Sequence, residues 1–338
     1  MLHFQTSAFC VIALALFGVS SSASGQDSRN FEFVYRAQID DVPSGELVHV
    51  FVPVPLENER QSVEIVSITT SLSENPAFEA TIDEEQKYGN RFWHATVPTT
   101  DGAPIIVEAL YRVTRHIYGK DAVTRSRELN DAERQELALF LRANSRVAVD
   151  HPVLDPILSE IHSGFPENQR VDGASIARGI YDWVVDNIEY KKVGSGWGNG
   201  DTFWACNERY GNCTDFHSLF ISLARTSDIP AKFEMGFPIP MDRPAGSISG
   251  YHCWLNFYLP ETGWFPVDAS DAFNYPERRE IYYGTQPTDR IHFTTGRDLR
   301  LGPDHRDRAL NYFIYPYVEV DGVRHKGPVD SRFSYVVI

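Results

Sequence analysis

The chain has 338 residues, a formal net charge of −15 and 13% aromatic side chains. That length allows two domains of roughly 100–200 residues each. So acidic a surface repels phosphate backbones, which argues against a nucleic-acid partner, and it favours solubility without naming a substrate.

The first 25 residues carry no Asp, Glu, Lys or Arg, positions 8–19 are almost wholly apolar, and 20–25 are small. Residues 1–25 are therefore expected to be a secretory signal peptide cleaved near Ala23 or Gly25, although Lys and Arg are missing from its n-region. An apolar run of about 12 residues is too short to span a bilayer. The protein is expected to be exported, periplasmic or extracellular, and not integral to a membrane. Cys10 sits in the apolar run with no lipobox around it and is not read as a lipid attachment site.

Residues 26–118 alternate in β fashion. Strands are expected at 31–39, 47–54, 63–70, 91–97 and 105–115, with turn signals at Val42-Pro43-Ser44-Gly45 and Tyr88-Gly89-Asn90. The pattern predicts a compact β-sandwich. Positions 126–148 turn helical behind Asn130 as N-cap, and further helices are expected over 151–162 and 173–188. In the last of these Ile176, Ile180, Trp183 and Val184 share a face, so Trp183 reads as core. The glycine-rich stretch 194–201 carries Trp197 and is not a phosphate loop, because no Gly-Lys-Ser/Thr follows.

The densest chemistry lies in Tyr210-Gly211-Asn212-Cys213-Thr214-Asp215-Phe216-His217. Leu219, Phe220, Leu223 and Ala224 recur at helical spacing behind it, and Asn212 is a good N-cap, so a helix starts at Cys213. Free backbone N–H groups and the positive end of the helix dipole then surround the sulfur and favour the thiolate. His217 lies one turn on and reads as a packed structural residue, and Asp215 as a complement to the dipole.

Residues 251–259 alternate as a strand, Pro260-Glu261-Thr262-Gly263 turns, and 264–268 return. Three loop residues followed by a left-handed Gly263 would put His252 and Asp268 on one side of the hairpin, about one pair apart. Asp271 would fall on the opposite face. Beyond residue 273 come loop, an arginine cluster (Arg290, Arg297, Arg300, Arg306, Arg308) expected to make salt bridges, and two aromatic-rich closing strands at 311–320 and 331–338. After signal cleavage three cysteines remain: Cys206, Cys213 and Cys253. An odd count leaves at least one free thiol. A Cys206–Cys253 bridge is conceivable, but Cys253 shares a strand face with Leu255 and Phe257 and is better read as a buried core thiol.

Four elements of this stretch resemble the transglutaminase-like superfamily of papain-type cysteine enzymes. They are the Gly-Asn-Cys helix start, Asp228-Ile229-Pro230-Ala231-Lys232, His252-Cys253-Trp254, and Gly263-Trp264-x-x-x-Asp268, in the family's order and spacing. The resemblance implies an α+β fold. A helix bearing Cys213 would pack on an antiparallel sheet bearing His252 and Asp268, after an immunoglobulin-like β-sandwich over residues 26–118. The core would run over 119–272, and 273–338 would supply its closing strands. It also implies a Cys213–His252–Asp268 triad that forms a thioester from a peptide or side-chain amide. In animal relatives a tryptophan upstream of the cysteine helps hold the oxyanion; here Trp197 comes first and Trp204 second as tentative donors. Neither a cofactor nor a metal is called for, and no EF-hand loop indicates calcium. The expected partner is a peptide or protein substrate. The leading expectation is a hydrolase, a protease or amidase. The alternatives are a protein-glutamine gamma-glutamyltransferase that crosslinks, or a noncatalytic peptide-binding module on the same fold.

Overall fold

The structure is a computed structural model that describes residues 28–166 and 172–338. The expected signal peptide lies outside these residues. Among them no helix is long and apolar enough to cross a membrane.

The first described strand, Ser28–Ile39, buries Phe31, Phe33, Tyr35, Ala37 and Ile39 on one face. It pairs antiparallel with Ile105–His116 on one side and with Val329–Val337 on the other. Gln61–Thr70 and Ala245–Ile248 form the outer strands of that five-stranded sheet. A second five-stranded sheet runs in the order Val323–Arg324, Tyr317–Val320, Val48–Pro53, Arg91–Val97, Glu79–Glu84. Its Val48, Val50, Val52, Trp93 and Ala95 share one core with Phe33 and Tyr35 of the first.

Both sheets therefore draw strands from the far end of the chain. The strands expected to close the core at 311–320 and 331–338 instead complete the amino-terminal layer, and residues 26–118 do not make that layer alone. Alternation reveals that a strand has a buried face; it does not reveal the partner that satisfies its free edge.

The other layer centres on a four-stranded antiparallel sheet, ordered Gly263–Val267, His252–Leu259, Ala231–Pro238, Arg290–Thr295. The helix Cys213–Thr226 lies on it and is buried from Cys213 to Arg225. Its Phe220 stacks on Phe257 of the sheet at 6.0 Å between ring centroids. Gly173–Asn187 forms as a helix close to the expected 173–188, with Asp172 as its N-cap. The helix expected over 126–148 is cut short: only Asp131–Glu136 is α-helical, closed by a capping box between Asn130 and Glu133. A single 3-10 turn follows at Ala138–Phe140.

The two layers are joined by side chains that imitate a strand. The Gln61 amide donates to the His292 carbonyl at 2.7 Å and accepts from its N–H at 2.9 Å. Asn90 does the same for Thr295, at 2.8 and 2.7 Å. The open edge of Arg290–Thr295 is thereby paired without a further strand. Arg60 reaches Asn256 at 2.9 Å and Arg115 reaches Gln286 at 2.5 Å across the same seam.

Ala231–Pro238 shifts register against Arg290–Thr295 at Met235/Gly236. A Cβ on Gly236 would sit 1.7 Å from the Ile291 carbonyl oxygen, so the strands approach this closely only because residue 236 has no side chain. Gly236→Ala is expected to push the 290–295 strand outward and to cost about 1–3 kcal/mol, as overpacking does. Urea unfolding of the variant measures this, and an unchanged midpoint would show that the sheet yields freely there.

Candidate active site

The Cys213 helix begins where the sequence places it. Asn212 accepts the Thr214 N–H at 2.9 Å, and the Asp215 carboxylate accepts the Asn212 N–H at 2.9 Å, a reciprocal capping box. Asp215 does more than complement the dipole. It also accepts the N–H groups of Gly198 and Gly200, at 2.6 and 2.9 Å, and so pins the glycine-rich loop beside the helix start. Gly211 makes room for that carboxylate, since a Cβ there would lie 2.2 Å from Asp215 Oδ2.

The hairpin also forms as its spacing predicts. Leu259 pairs with Gly263, leaving three loop residues, and Gly263 has φ +79°. With Leu255 opposite Val267, His252 and Asp268 fall one pair apart on the same side. His252 Nε2 meets Asp268 Oδ2 at 2.7 Å. With Nε2–H donating there, Nδ1 is the nitrogen left for the Cys213 thiol, with which His252 also hydrogen-bonds. The structure thus brings Cys213, His252 and Asp268 together.

The Asp268 carboxylate is 2% exposed. Besides His252 it accepts from Arg290 Nη1 at 2.7 Å, Ser270 Oγ at 3.1 Å and the Asp271 N–H at 3.0 Å. Burial alone would raise its proton affinity, but the His252 and Arg290 charges hold it well below the usual carboxylate range. Burial would likewise lower His252, and the Asp268 and Asp271 charges raise it well above the ordinary imidazole value. Burial would raise the Cys213 thiol; hydrogen bonds with Cys253 and His252, and the His252 charge, pull it well below the ordinary thiol value. The three directions agree on a thiolate–imidazolium pair backed by a carboxylate.

Three features differ from the sequence expectations, and a fourth, His217, is as expected but more closely tied to the site. Asp271 is not on the opposite face: the chain turns into the short helix Ala269–Asn274 after Asp268, and Asp271 Oδ2 comes 3.5 Å from His252 Nε2. Burial and the neighbouring Asp268 charge push its carboxyl up to about 6. Arg290, read only as one of a salt-bridging cluster, is buried in the site between Asp268 and Asp271. Nothing local marks it, since it comes from the sheet's far edge. His217 is packed, as expected, but beneath the site. Its Nε2 accepts the Ala269 N–H at 3.1 Å and lies 3.5 Å from Asp268 Oδ1, while Nδ1 faces Cys253 Sγ at 3.6 Å. Finally, both indoles offered as oxyanion donors are committed elsewhere. Trp197 donates to the Gly194 carbonyl at 3.2 Å and Trp204 to the Tyr210 carbonyl at 3.0 Å. Trp197 braces its own loop, and Trp204, on the helix Thr202–Glu208, ties that helix to the strand Tyr210–Gly211.

Cys206, Cys213 and Cys253 are all free and buried, so the conceivable Cys206–Cys253 bridge does not form. A cleft of about 580 Å³ opens against His252, lined by Tyr190, Lys192, Tyr251, Asp271, Arg278 and others.

Residues 165–269 match the transglutaminase-like superfamily. An uncharacterized protein of Haemophilus influenzae is 25% identical over 364 residues, covering 92% of this chain and 91% of its own. The uncharacterized protein YebA of Bacillus subtilis is 29% identical over 77 residues, 20% of this chain and 10% of its own. Among solved structures, a candidate cysteine protease from Cytophaga hutchinsonii superposes with a TM-score of 0.56 at 16% identity, over 93% of this chain and 99% of that one. Residues 165–269 are thus similar to that superfamily, and the fold of nearly the whole chain recurs in the Cytophaga structure.

The electrostatics make Cys213 the thiol to alkylate first. Cys253 is pushed well above the ordinary thiol range by burial and the Cys213 charge, and Cys206 is pushed up to about 11 by burial. Iodoacetamide near pH 7 followed by peptide mass spectrometry is expected to find the label on Cys213. Its rate should persist below the ordinary thiol range, because a lowered thiol stays ionised as pH falls. His252→Gln should move that acid limb upward toward about 8.5. Labelling of Cys206 or Cys253 ahead of Cys213 in folded protein would overturn the assignment.

Proposed function

We propose that the protein is a cysteine hydrolase of peptide or side-chain amides, built on its transglutaminase-like core and exported as its amino-terminal segment suggests. The reading rests on the 2.7 Å contact between His252 Nε2 and Asp268 Oδ2, which engages one ring nitrogen and leaves Nδ1 for the neighbouring Cys213. In this reading the Cys213 thiolate attacks the amide carbon. The His252 imidazolium gives its proton to the departing amine, and a thioester remains on Cys213. Water then loses a proton to His252 as it adds, the C–S bond breaks, and the thiolate and imidazolium are restored. Asp268 keeps the imidazole in its working tautomer and stabilises its cation.

The oxyanion needs two donors. The Cys213 N–H, first in its helix, supplies one. With both indoles engaged, we assign the second to the Tyr190 hydroxyl. Tyr190 lines the cleft beside His252 and packs on Phe216 at 6.0 Å between centroids. Its proton is held above the usual phenol range by burial and by the Cys213 charge. Tyr190→Phe is expected to lower kcat by about 10²–10³ with little change in KM, while Trp197→Phe leaves kcat near its starting value. Steady-state kinetics of the two variants decide the matter; the reverse pattern returns the role to Trp197.

Water is favoured over an amine as acceptor by the character of the cleft. Its walls carry Lys192, Asp242, Ser249, Asp271 and Arg278, and none of its lining residues is a tryptophan. Trp254 is fully buried and bonded to Glu234 at 2.6 Å, and Trp264 packs on Phe140. Trp197, Trp204, Trp254 and Trp264, which together would make an apolar wall that excludes water, are all absent from the cleft lining. Incubation with a glutaminyl peptide and a millimolar fluorescent primary amine is expected to yield free acid or cleaved peptide. Predominant amine incorporation would make the protein a crosslinking transferase instead. No thioester adduct at Cys213 with any amide or activated ester would favour the noncatalytic peptide-binding reading.

A further inference from the structure

A second cluster of metal-ligating side chains lies apart from the Cys213 site, on the outer face of the sheet that holds Val48–Pro53 and Arg91–Val97. His49 stands opposite Thr96 and Phe51 opposite His94, so the two histidines are diagonal neighbours on one face. His49 Nδ1 and His94 Nε2 approach to 3.1 Å. The carboxylate of Asp304, some two hundred residues on, closes the group, and its ligand atom and the two ring nitrogens all lie within 4.8 Å of one another. Among the described residues no hydrogen bond ties that carboxylate to another side chain.

We propose that His49, His94 and Asp304 form a binding site for a divalent transition-metal ion of the zinc class. The reading goes beyond the amide chemistry and does not depend on it. Two imidazoles and a carboxylate are an N/O donor set that such ions accept, usually with a further position held by water. Two nitrogens each about 2.0–2.1 Å from a shared ion come to lie close to the separation of these two ring nitrogens, so the histidines need little movement.

The surroundings are built for fixed ligands. Asp83 Oδ2 lies 3.6 Å from His94 Nδ1, which favours the proton on Nδ1 and leaves the Nε2 lone pair toward the site, the arrangement that orients ligating histidines. The His94 ring stacks flat on Phe51 at 4.4 Å between centroids and 3° between planes. His49 is 5% exposed. Thr96 Oγ1 stands 3.2 Å from His49 Nδ1 and 3.5 Å from His94 Nε2.

The turn that presents Asp304 is equally well held. His305 Nδ1 accepts the Leu301 N–H at 3.0 Å and its Nε2 bonds the Arg308 carbonyl at 3.0 Å, so His305 shapes the turn and is not a spare ligand. The Glu319 carboxylate accepts the Arg306 and Asp307 N–H groups, both at 3.0–3.1 Å. Metal binding would fasten this turn to the sheet. The same segment carries Arg297, which donates to the Gly200 carbonyl at 2.8 Å and to Ser218 at 2.6 Å, so the ion would also brace the loop beside the Cys213 helix.

The test uses the full chain with Cys213→Ala, which removes the reactive thiolate as a competing ligand. Titration with Zn2+ and Co2+ is expected to give one ion per chain, a Co2+ spectrum without a thiolate charge-transfer band, and a raised thermal midpoint. Asp304→Asn should weaken binding by at least about tenfold and abolish the midpoint shift, and Asp83→Asn should weaken it by about tenfold. His94→Gln should abolish binding. If that variant does not fold, Asp304→Asn decides alone, since its side chain lies on a partly exposed turn. Absence of binding at micromolar metal would overturn the proposal. So would binding that Asp304→Asn leaves unchanged, which would place the ion at His252, Asp268 and Asp271. In either case the close nitrogens are only a His49-to-His94 hydrogen bond.

Discussion

The buried carboxylate of Asp268 is the constraint around which this molecule is arranged. A lone carboxylate taken out of water carries a desolvation cost of several kcal/mol, and it stays ionised only if donors meet it from several directions. Here they come from three elements. His252 arrives along the neighbouring strand, Ser270 and the Asp271 N–H from the helix that Asp268 itself caps, and Arg290 from the far edge of the sheet. Arg290 reaches the site because its strand lies tight against Gly236 at a register shift. That strand in turn is held on its open side by Gln61 and Asn90 of the amino-terminal layer. The charge on one carboxylate thus depends on contacts that run through both layers. An amino-terminal layer that completes the hydrogen bonding of the Arg290 strand is more than a spacer.

The thiol side follows the same logic at shorter range. Asp215 is buried, yet it receives the N–H groups of Asn212, Gly198 and Gly200. One carboxylate therefore starts the helix and fixes the adjacent loop. Arg297 closes the arrangement from behind, reaching Gly200, Ser218 and Asn199. Cys213 owes its lowered proton affinity to position: it is the first residue of a helix and has the His252 ring in front of it. Cys253 is adjacent in space but lies on the buried side of its strand. It faces Thr214 and His217 as well as Cys213, and burial together with the Cys213 charge raises its proton affinity.

What the sequence made legible follows the range of the interactions. The cap at Asn212, the helix behind it and the three-residue hairpin loop are decided within a few residues, and side-chain parity then put His252 and Asp268 on one side. Parity failed at Asp271 because the strand ends at Asp268 and a helix turn replaces the two-residue repeat with one that brings residue i+3 back over residue i. The indoles of Trp197 and Trp204 illustrate the other limit. An aromatic residue upstream of a nucleophile has a useful donor only if no nearer carbonyl takes it, and here Gly194 and Tyr210 do. The strand partners of residues 317–337, and with them the domain boundary, rest on pairing across about three hundred residues, which no local pattern carries.

The overall charge of −15 says little about this site, because exposed charges are screened over about 10 Å while the groups around Asp268 are buried and close. Two carboxylates face the same imidazole and the same guanidinium. They cannot be equal: Asp268, with the shorter contacts to both cations, keeps its charge, and that charge pushes Asp271 up to about 6. The pair behaves as one unit whose second proton comes off just below neutrality. Below that point Asp271 is neutral, and His252 answers to Asp268 alone. Above it the added negative charge strengthens the hold on the imidazolium and so extends the range over which the thiolate has its counter-ion. The same carboxylate also lines the cleft. A group that tunes the imidazole from within the cleft makes the proton balance of the pair sensitive to what occupies it, and displacement of water from Asp271 would raise its proton affinity further.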